Sequence, residues 1–220
     1  MLVISLPFEN LPQIKLSDKA FYALELMYQY QVKELAVVDN SDFVGIIKED
    51  VLLSADEEVL IKDLQYSLIR VFVNANDHLL KAVSVAVASH LTILPVTDSE
   101  QKLTGIVETG RLLESVADFL QVNEPGAIIV LEVDPFQYSF SEICRLVESN
   151  DAQITQLNTS KAGSDSDRLQ ITMKLNKLEV SDIVATFQRY EYQVKYYFGE
   201  ELYENELKTN YENLMSYLNV

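Results

Sequence analysis

Apolar residues between Ser17 and Ile47 change their spacing twice. Leu24, Met27 and Tyr28 recur three and one apart on a helical face, behind a start in which Ser17 is placed to cap free backbone N–H groups. Leu35-Ala36-Val37-Val38-Asp39 is a continuous apolar run of strand length, and Phe43-Val44-Gly45-Ile46-Ile47 is a second one after a polar turn. The plan returns 59 residues later. Asn76-Asp77 replaces Ser17-Asp18 as the cap, Ala82 falls on Ala23, and Leu94-Pro95-Val96-Thr97-Asp98 falls on Leu35 to Asp39. One extra loop residue then makes the offset 60, so Gly105-Ile106-Val107 matches Gly45-Ile46-Ile47 and Leu112-Leu113 matches Leu52-Leu53. A duplicated fold tolerates an insertion confined to a hairpin loop.

Glu124-Pro125-Gly126 breaks the chain after a helix ending near Phe119. The pattern beyond it is new. Ala127 to Val133 reads as a central strand, and Ser139 with Glu142 as a capping box before a helix with Phe140, Ile143 and Val147 on one face. A strand is predicted from Ile154 to Asn158, and Leu169, Ile171, Met173 and Leu175 alternate with polar residues in another. Asn176 and Glu179 form a second box before a helix with Val180, Ile183, Val184 and Phe187 inward; Val194, Tyr196 and Phe198 mark a last strand. The order βαββαβ is that of a ferredoxin-like sandwich. Tyr203, Leu207, Tyr211, Leu214 and Leu218 predict an amphipathic helix, packed on its own domain or docked on a second subunit.

A helix, the pattern h-P-V-x-D, a short turn, G-h-h and a following helix resemble the CBS repeat. Leu94 to Asp98 with Gly105-Ile106-Val107 carry the likeness best; the first repeat has Ala36 where proline is usual. The resemblance covers roughly residues 1 to 120 and implies two repeats in one pseudo-symmetric disc, with adenine nucleotides bound between them. The βαββαβ segment that follows resembles an ACT domain, and the whole is similar to CBS–ACT proteins associated with acetoin utilisation. The expected fold is thus α+β (α/β): a CBS pair over 1–122 (repeats about 1–58 and 59–122), an ACT-like domain over 123–199, and a C-terminal helix over 200–220. Both modules commonly self-associate, which implies a homodimer.

Charge and composition narrow the function. A net charge of −17 opposes nucleic acid, whose phosphates need clustered Lys and Arg, and opposes an anionic membrane. The single cysteine, Cys144, has no internal disulfide partner, which fits a reducing cytoplasm. The N-terminus lacks a basic leader and reads as the first structural segment, not a signal peptide. His78 and His90 show no metal-ligand spacing, Ser54 to Glu58 reads as a solvated helix start, and Cys144 sits beside the core. With six glycines there is no phosphate-cradling motif, and no catalytic triad or paired carboxylates emerge. The expectation is a non-enzyme.

CBS repeats that bind nucleotides commonly carry G-h-h-[ST]-x-x-D. Here Lys48 and Val51 occupy the hydroxyl and carboxylate positions of the first repeat, with Asp50 one residue early; Glu108 and Arg111 occupy those of the second. Two readings follow. In the first, a regulatory protein binds an adenine nucleotide or S-adenosylmethionine between its repeats. Lys48, Asp50, Glu108 and Arg111 would be the polar lining, and Ile14, Val37, Val73 and Val96 the apolar walls. In the second, the pair is a ligand-free scaffold that dimerises and docks a protein partner. In the ACT-like part, Asp134-Pro135-Phe136-Gln137-Tyr138 lacks the glycine usual for amino-acid binding, and Phe136 and Tyr138 are expected to plug that site or else to shape a different pocket.

Overall fold

A computed structural model describes residues 1–136, 138–163 and 166–199, and the stripe between Tyr203 and Leu218 lies outside them. The chain divides into two compact units, the first Met1–Val122 and the second from Asn123 onward. No helix among the described residues is long and apolar enough to cross a membrane.

Each repeat of the first unit builds a small sheet. In the first, β1 (Gln13–Lys15) lies parallel to β2 (Glu34–Asp39), which pairs antiparallel with β3 (Asp42–Lys48). The helix α1 (Ala20–Tyr30) separates β1 from β2, and α2 (Glu49–Leu53) follows β3. The second repeats this with β4 (Val73–Asn74), α3 (Leu79–Ser89), β5 (Ile93–Thr97), β6 (Leu103–Glu108) and α4 (Thr109–Phe119). All of β5 and the first five residues of β2 are buried on both faces, which explains why they read as unbroken apolar runs. One side faces its own helices. Ala36, Phe43, Ile46, Leu91, Ile93 and Ile106 form the cluster that joins the repeats.

The caps differ from expectation. Lys19, not Ser17, is the N-cap of α1, and its side chain has no acceptor to offer; Asp18 accepts the Lys15 N–H at 2.7 Å instead. His78, not Asn76 or Asp77, caps α3, its Nδ1 accepting from the Leu80 N–H. Asp77 instead repeats the turn of Asp18, accepting from the Asn74 N–H at 3.0 Å. The helices end alike, at Gln31 and His90 in the left-handed region (φ 56° and 53°). The Ser54 to Glu58 segment ends α2 rather than opening a helix, and Glu58 pairs with Lys19 at 2.5 Å.

Sequence order conceals an exchange between the repeats. Val3 and Ile61 are fully buried, but Val3 lies in the second repeat's core and Ile61 in the first's. The Val3 N–H donates to Asp77 O and the Ile4 N–H to Ala75 O; the Ile61 N–H donates to Asp18 O and the Lys62 N–H to Leu16 O, all at 2.8–2.9 Å. Farther along, Glu9 bridges to Ile106 and Ile69 to Ile46. Two strand glycines make room for these arms. A Cβ on Gly45 would stand 2.9 Å from Leu68 Cβ, and one on Gly105 would stand 2.6 Å from the Phe8 ring.

The second unit is a four-stranded antiparallel sheet of order β10-β7-β9-β8. Its strands are β7 (Ile128–Val133), β8 (Ile154–Lys161), β9 (Leu169–Leu175) and β10 (Gln193–Phe198), with α5 (Phe140–Glu148) and α6 (Ser181–Arg189) between them. This βαββαβ order is the ferredoxin-like plan. Ile143, Val147, Val180, Ile183, Val184 and Phe187 are buried, whereas Phe140 is exposed and Leu146 takes the inward place. Neither capping box forms. Ser139 makes no cap bond and Glu142 accepts the Tyr192 hydroxyl proton at 2.8 Å. Asn176 accepts from the Gln153 N–H, and Glu179 accepts from the Ser181 N–H at 2.7 Å; hydrogen bonding by the Ser181 side chain, then by its N–H, holds the Glu179 carboxyl below the usual range.

Candidate functional site

Where β2 begins and β6 ends, loops of the two repeats meet. The Glu49 N–H donates to Lys33 O and the Thr109 N–H to Thr92 O, each at 2.9 Å, so each β-to-α corner is tied to the connection before its repeat's central strand. The Thr109 hydroxyl donates to Leu91 O at 2.9 Å. Glu34, 5% exposed, reaches from the first repeat to the second and accepts from the Thr92 N–H at 3.1 Å and from its hydroxyl.

These loops enclose a cavity of about 360 Å³ lined by Gln31, Val32, Lys33, Thr92, Ile93, Glu108, Thr109 and Gly110. It holds one cation, one anion and the start of α4, whose N-cap Glu108 makes no side-chain cap bond. The Thr109 N–H is taken by Thr92 O, and the first-turn N–H groups after it are available to an acceptor. A Cβ on Gly110 would meet nothing within 4 Å, so the backbone there is open to close approach.

Of the eight residues expected to form the site, only Glu108 lines this cavity. Ile14 and Val37 are fully buried in the first repeat's core, and Val73 and Val96 in the second's. They pack between sheet and helices and reach no ligand without opening their repeat. Asp50 is exposed and accepts from the Val51 N–H at 2.9 Å; Lys48 is half-buried at the N-cap of α2. Arg111 donates to Glu114 and Glu9, both at 2.9 Å, and these hydrogen bonds raise its pKa further. Its charge is answered within the chain. Lys33 and Thr92 went unnoticed in the sequence because they belong to loops; their signal was their shared place before each repeat's central strand.

In the second unit, Phe136 is 96% exposed and plugs nothing. Tyr138 packs edge-on against Phe140 and lines a cavity of about 310 Å³ with Glu132, Glu142, Arg168 and Tyr192. Burial, then the hydrogen bond to Glu142, pushes the Tyr192 phenol up to about 12.

The family model described as CBS domain matches residues 3–58. A CBS domain pair/ACT domain protein from Thermotoga maritima superimposes with a TM-score of 0.51 at 28% identity, over 55% of this chain and 99% of that one. The chain thus carries a CBS domain in its first repeat. The CBS domains of a transcriptional regulator from Streptococcus pneumoniae match at 17% identity and a TM-score of 0.46, over 52% of this chain and 98% of that one. The CBS-pair protein CBSX2 from Arabidopsis thaliana matches at 23% identity and a TM-score of 0.47, over 55% of this chain and 96% of that one. No curated protein sequence matches the chain. Its first repeat, matched by the family model, is the one with Ala36 in place of proline.

Proposed function

We propose that this CBS-domain protein is a non-catalytic, cytoplasmic regulator that binds an adenosine-containing ligand in the cavity between its repeats and acts as a homodimer on a protein partner. One observation carries the reading: the 360 Å³ cavity draws Lys33, Thr92, Glu108 and the uncapped start of α4 from both repeats to one place. A ligand bridging both repeats favours one arrangement of them over another, which is what regulation by binding requires. Lys33 and the first-turn N–H groups of α4 suit a phosphate, and Glu108 suits ribose hydroxyls that donate to it. The adenosine class is what the family resemblance implies.

A thermal-shift titration with AMP, ADP, ATP, S-adenosylmethionine and NADH tests it. A ligand at about 100 times its dissociation constant stabilises by about 2.7 kcal/mol. The expected result is a saturable rise for one compound that is lost in Lys33→Ala. The ion pairs that occupy Arg111 favour the alternative, a ligand-free scaffold. No rise for any compound, from protein that melts cooperatively, decides for that alternative.

A further inference from the structure

A larger cavity, about 790 Å³, lies at the other end of β2, where β1 and β2 finish and the chain turns into β3. Its polar lining includes Lys15, Ser17, Asp39 and Lys62, with Val38 and Leu103 among its apolar walls. The exchanged arm brings Lys62 to the end of β1, where Lys15 stands. The Lys62 N–H donates to Leu16 O at 2.9 Å and the Lys15 N–H to Asp18 at 2.7 Å, so both backbones are fixed.

Neither ammonium group has an ion pair or hydrogen bond among the described residues, and the Ser17 hydroxyl has none either. The Asp39 carboxylate accepts from the Asn40 amide at 3.2 Å. Cations thus outnumber the anion in this cavity, in a chain with 34 acidic residues and a net charge of −17. Both lysines are exposed, so water screens their mutual repulsion, and an anion held between them would answer both charges at once.

The second repeat supplies an internal control. Asn74 stands where Lys15 does and Ile4 where Lys62 does. The same two backbone bonds form there, from the Asn74 N–H to Asp77 at 3.0 Å and from the Ile4 N–H to Ala75 O at 2.8 Å. The fold therefore builds this corner without lysines, and their charge is surplus to structure. A volume within the range of small-molecule sites, with part of the wall apolar, fits more than a bare ion.

We propose that this cavity binds a phosphomonoester. The phosphate dianion lies across Lys15 and Lys62 and accepts from the Ser17 hydroxyl, while an apolar or aromatic body rests on Val38 and Leu103. Lysine serves phosphate as a point charge, and a dianion answers two of them.

Calorimetric titration of the full chain with phenyl phosphate tests the assignment, with inorganic phosphate, phenol and AMP as separate arms. Phenyl phosphate is expected to bind saturably at one site per chain, inorganic phosphate more weakly, and phenol not at all. Lys15→Gln and Lys62→Gln should each weaken phenyl phosphate by about tenfold while melting as the wild type does. Lys81→Gln, which removes an exposed lysine on α3, should leave binding unchanged and so controls for net charge. AMP weakened by the same two variants would identify nucleotides as a source of the phosphate; AMP indifferent to them would point to other phosphoesters. No binding of phenyl phosphate at millimolar concentration overturns the proposal, as does undiminished binding in both lysine variants. Equal affinity for inorganic and phenyl phosphate overturns the role given to the apolar walls.

Discussion

Glu34 is a charged side chain at the start of a buried strand, and its partner Thr92 belongs to the other repeat. Replacing it with alanine removes the acceptor of the Thr92 N–H and hydroxyl; Thr92 is itself exposed, so the loss is that of an ordinary hydrogen bond, about 0.5–1.5 kcal/mol. Glu34→Ala should lose about that much in urea unfolding, and Glu34→Gln, which keeps an acceptor oxygen, clearly less. Tyr192 gives a prediction in pH. Its phenol, raised to about 12 by burial and then by Glu142, ionises more easily unfolded, where the ordinary value is 10.0. The stability it contributes is complete below that ordinary value and is lost as pH rises towards the folded one. The stability gap between wild type and Tyr192→Phe, open at about pH 9, should close as pH passes the raised value. At this scale the sequence was a mixed guide. Ser17, Ser139 and Asn176 have side chains that suit an N-cap, but a nearby turn or neighbouring strand determines which residue receives the last free N–H. Of the residues expected at the site, only Glu108 lines the cavity between the repeats, since periodicity marks a residue as buried without saying which core holds it.

The helices and longer strands were legible because each carries its own period: α6 in Ile183, Val184 and Phe187, β9 in strict alternation, β2 and β5 in unbroken apolar runs. The strands β1 and β4, three and two residues long, carry no period to read. The exchanged arms were hidden for a different reason, since the apolar spacing of Val3 and Ile61 is compatible with either repeat. The exchange makes a sharp prediction. Ile61→Ala, made in the linker after the first repeat, should remove about 2–5 kcal/mol and speed amide exchange in α1; Val3→Ala should instead loosen α3. Hydrogen exchange read helix by helix checks both. If each substitution loosened the helix nearest in sequence, the assignment of the arms would be wrong.

Among the described residues each of the two units has its own apolar core: three clusters in the first and one in the second. A protein ending at Val122 is therefore expected to unfold in one cooperative transition with native-like circular dichroism. A non-cooperative melt would mean that the first unit depends on residues beyond Val122. The duplication bears on something else as well. A half-length chain holding one repeat and its leading arm could not close on itself, because the slot beside its helix accepts only the arm that leads the other copy. Two such halves would have to trade arms, and their folding would become a second-order reaction, slower and weaker on dilution. The stretch from Leu60 to Ile69 turns that trade into an event within one molecule. Cutting the chain there should give two fragments that find each other only above a threshold concentration.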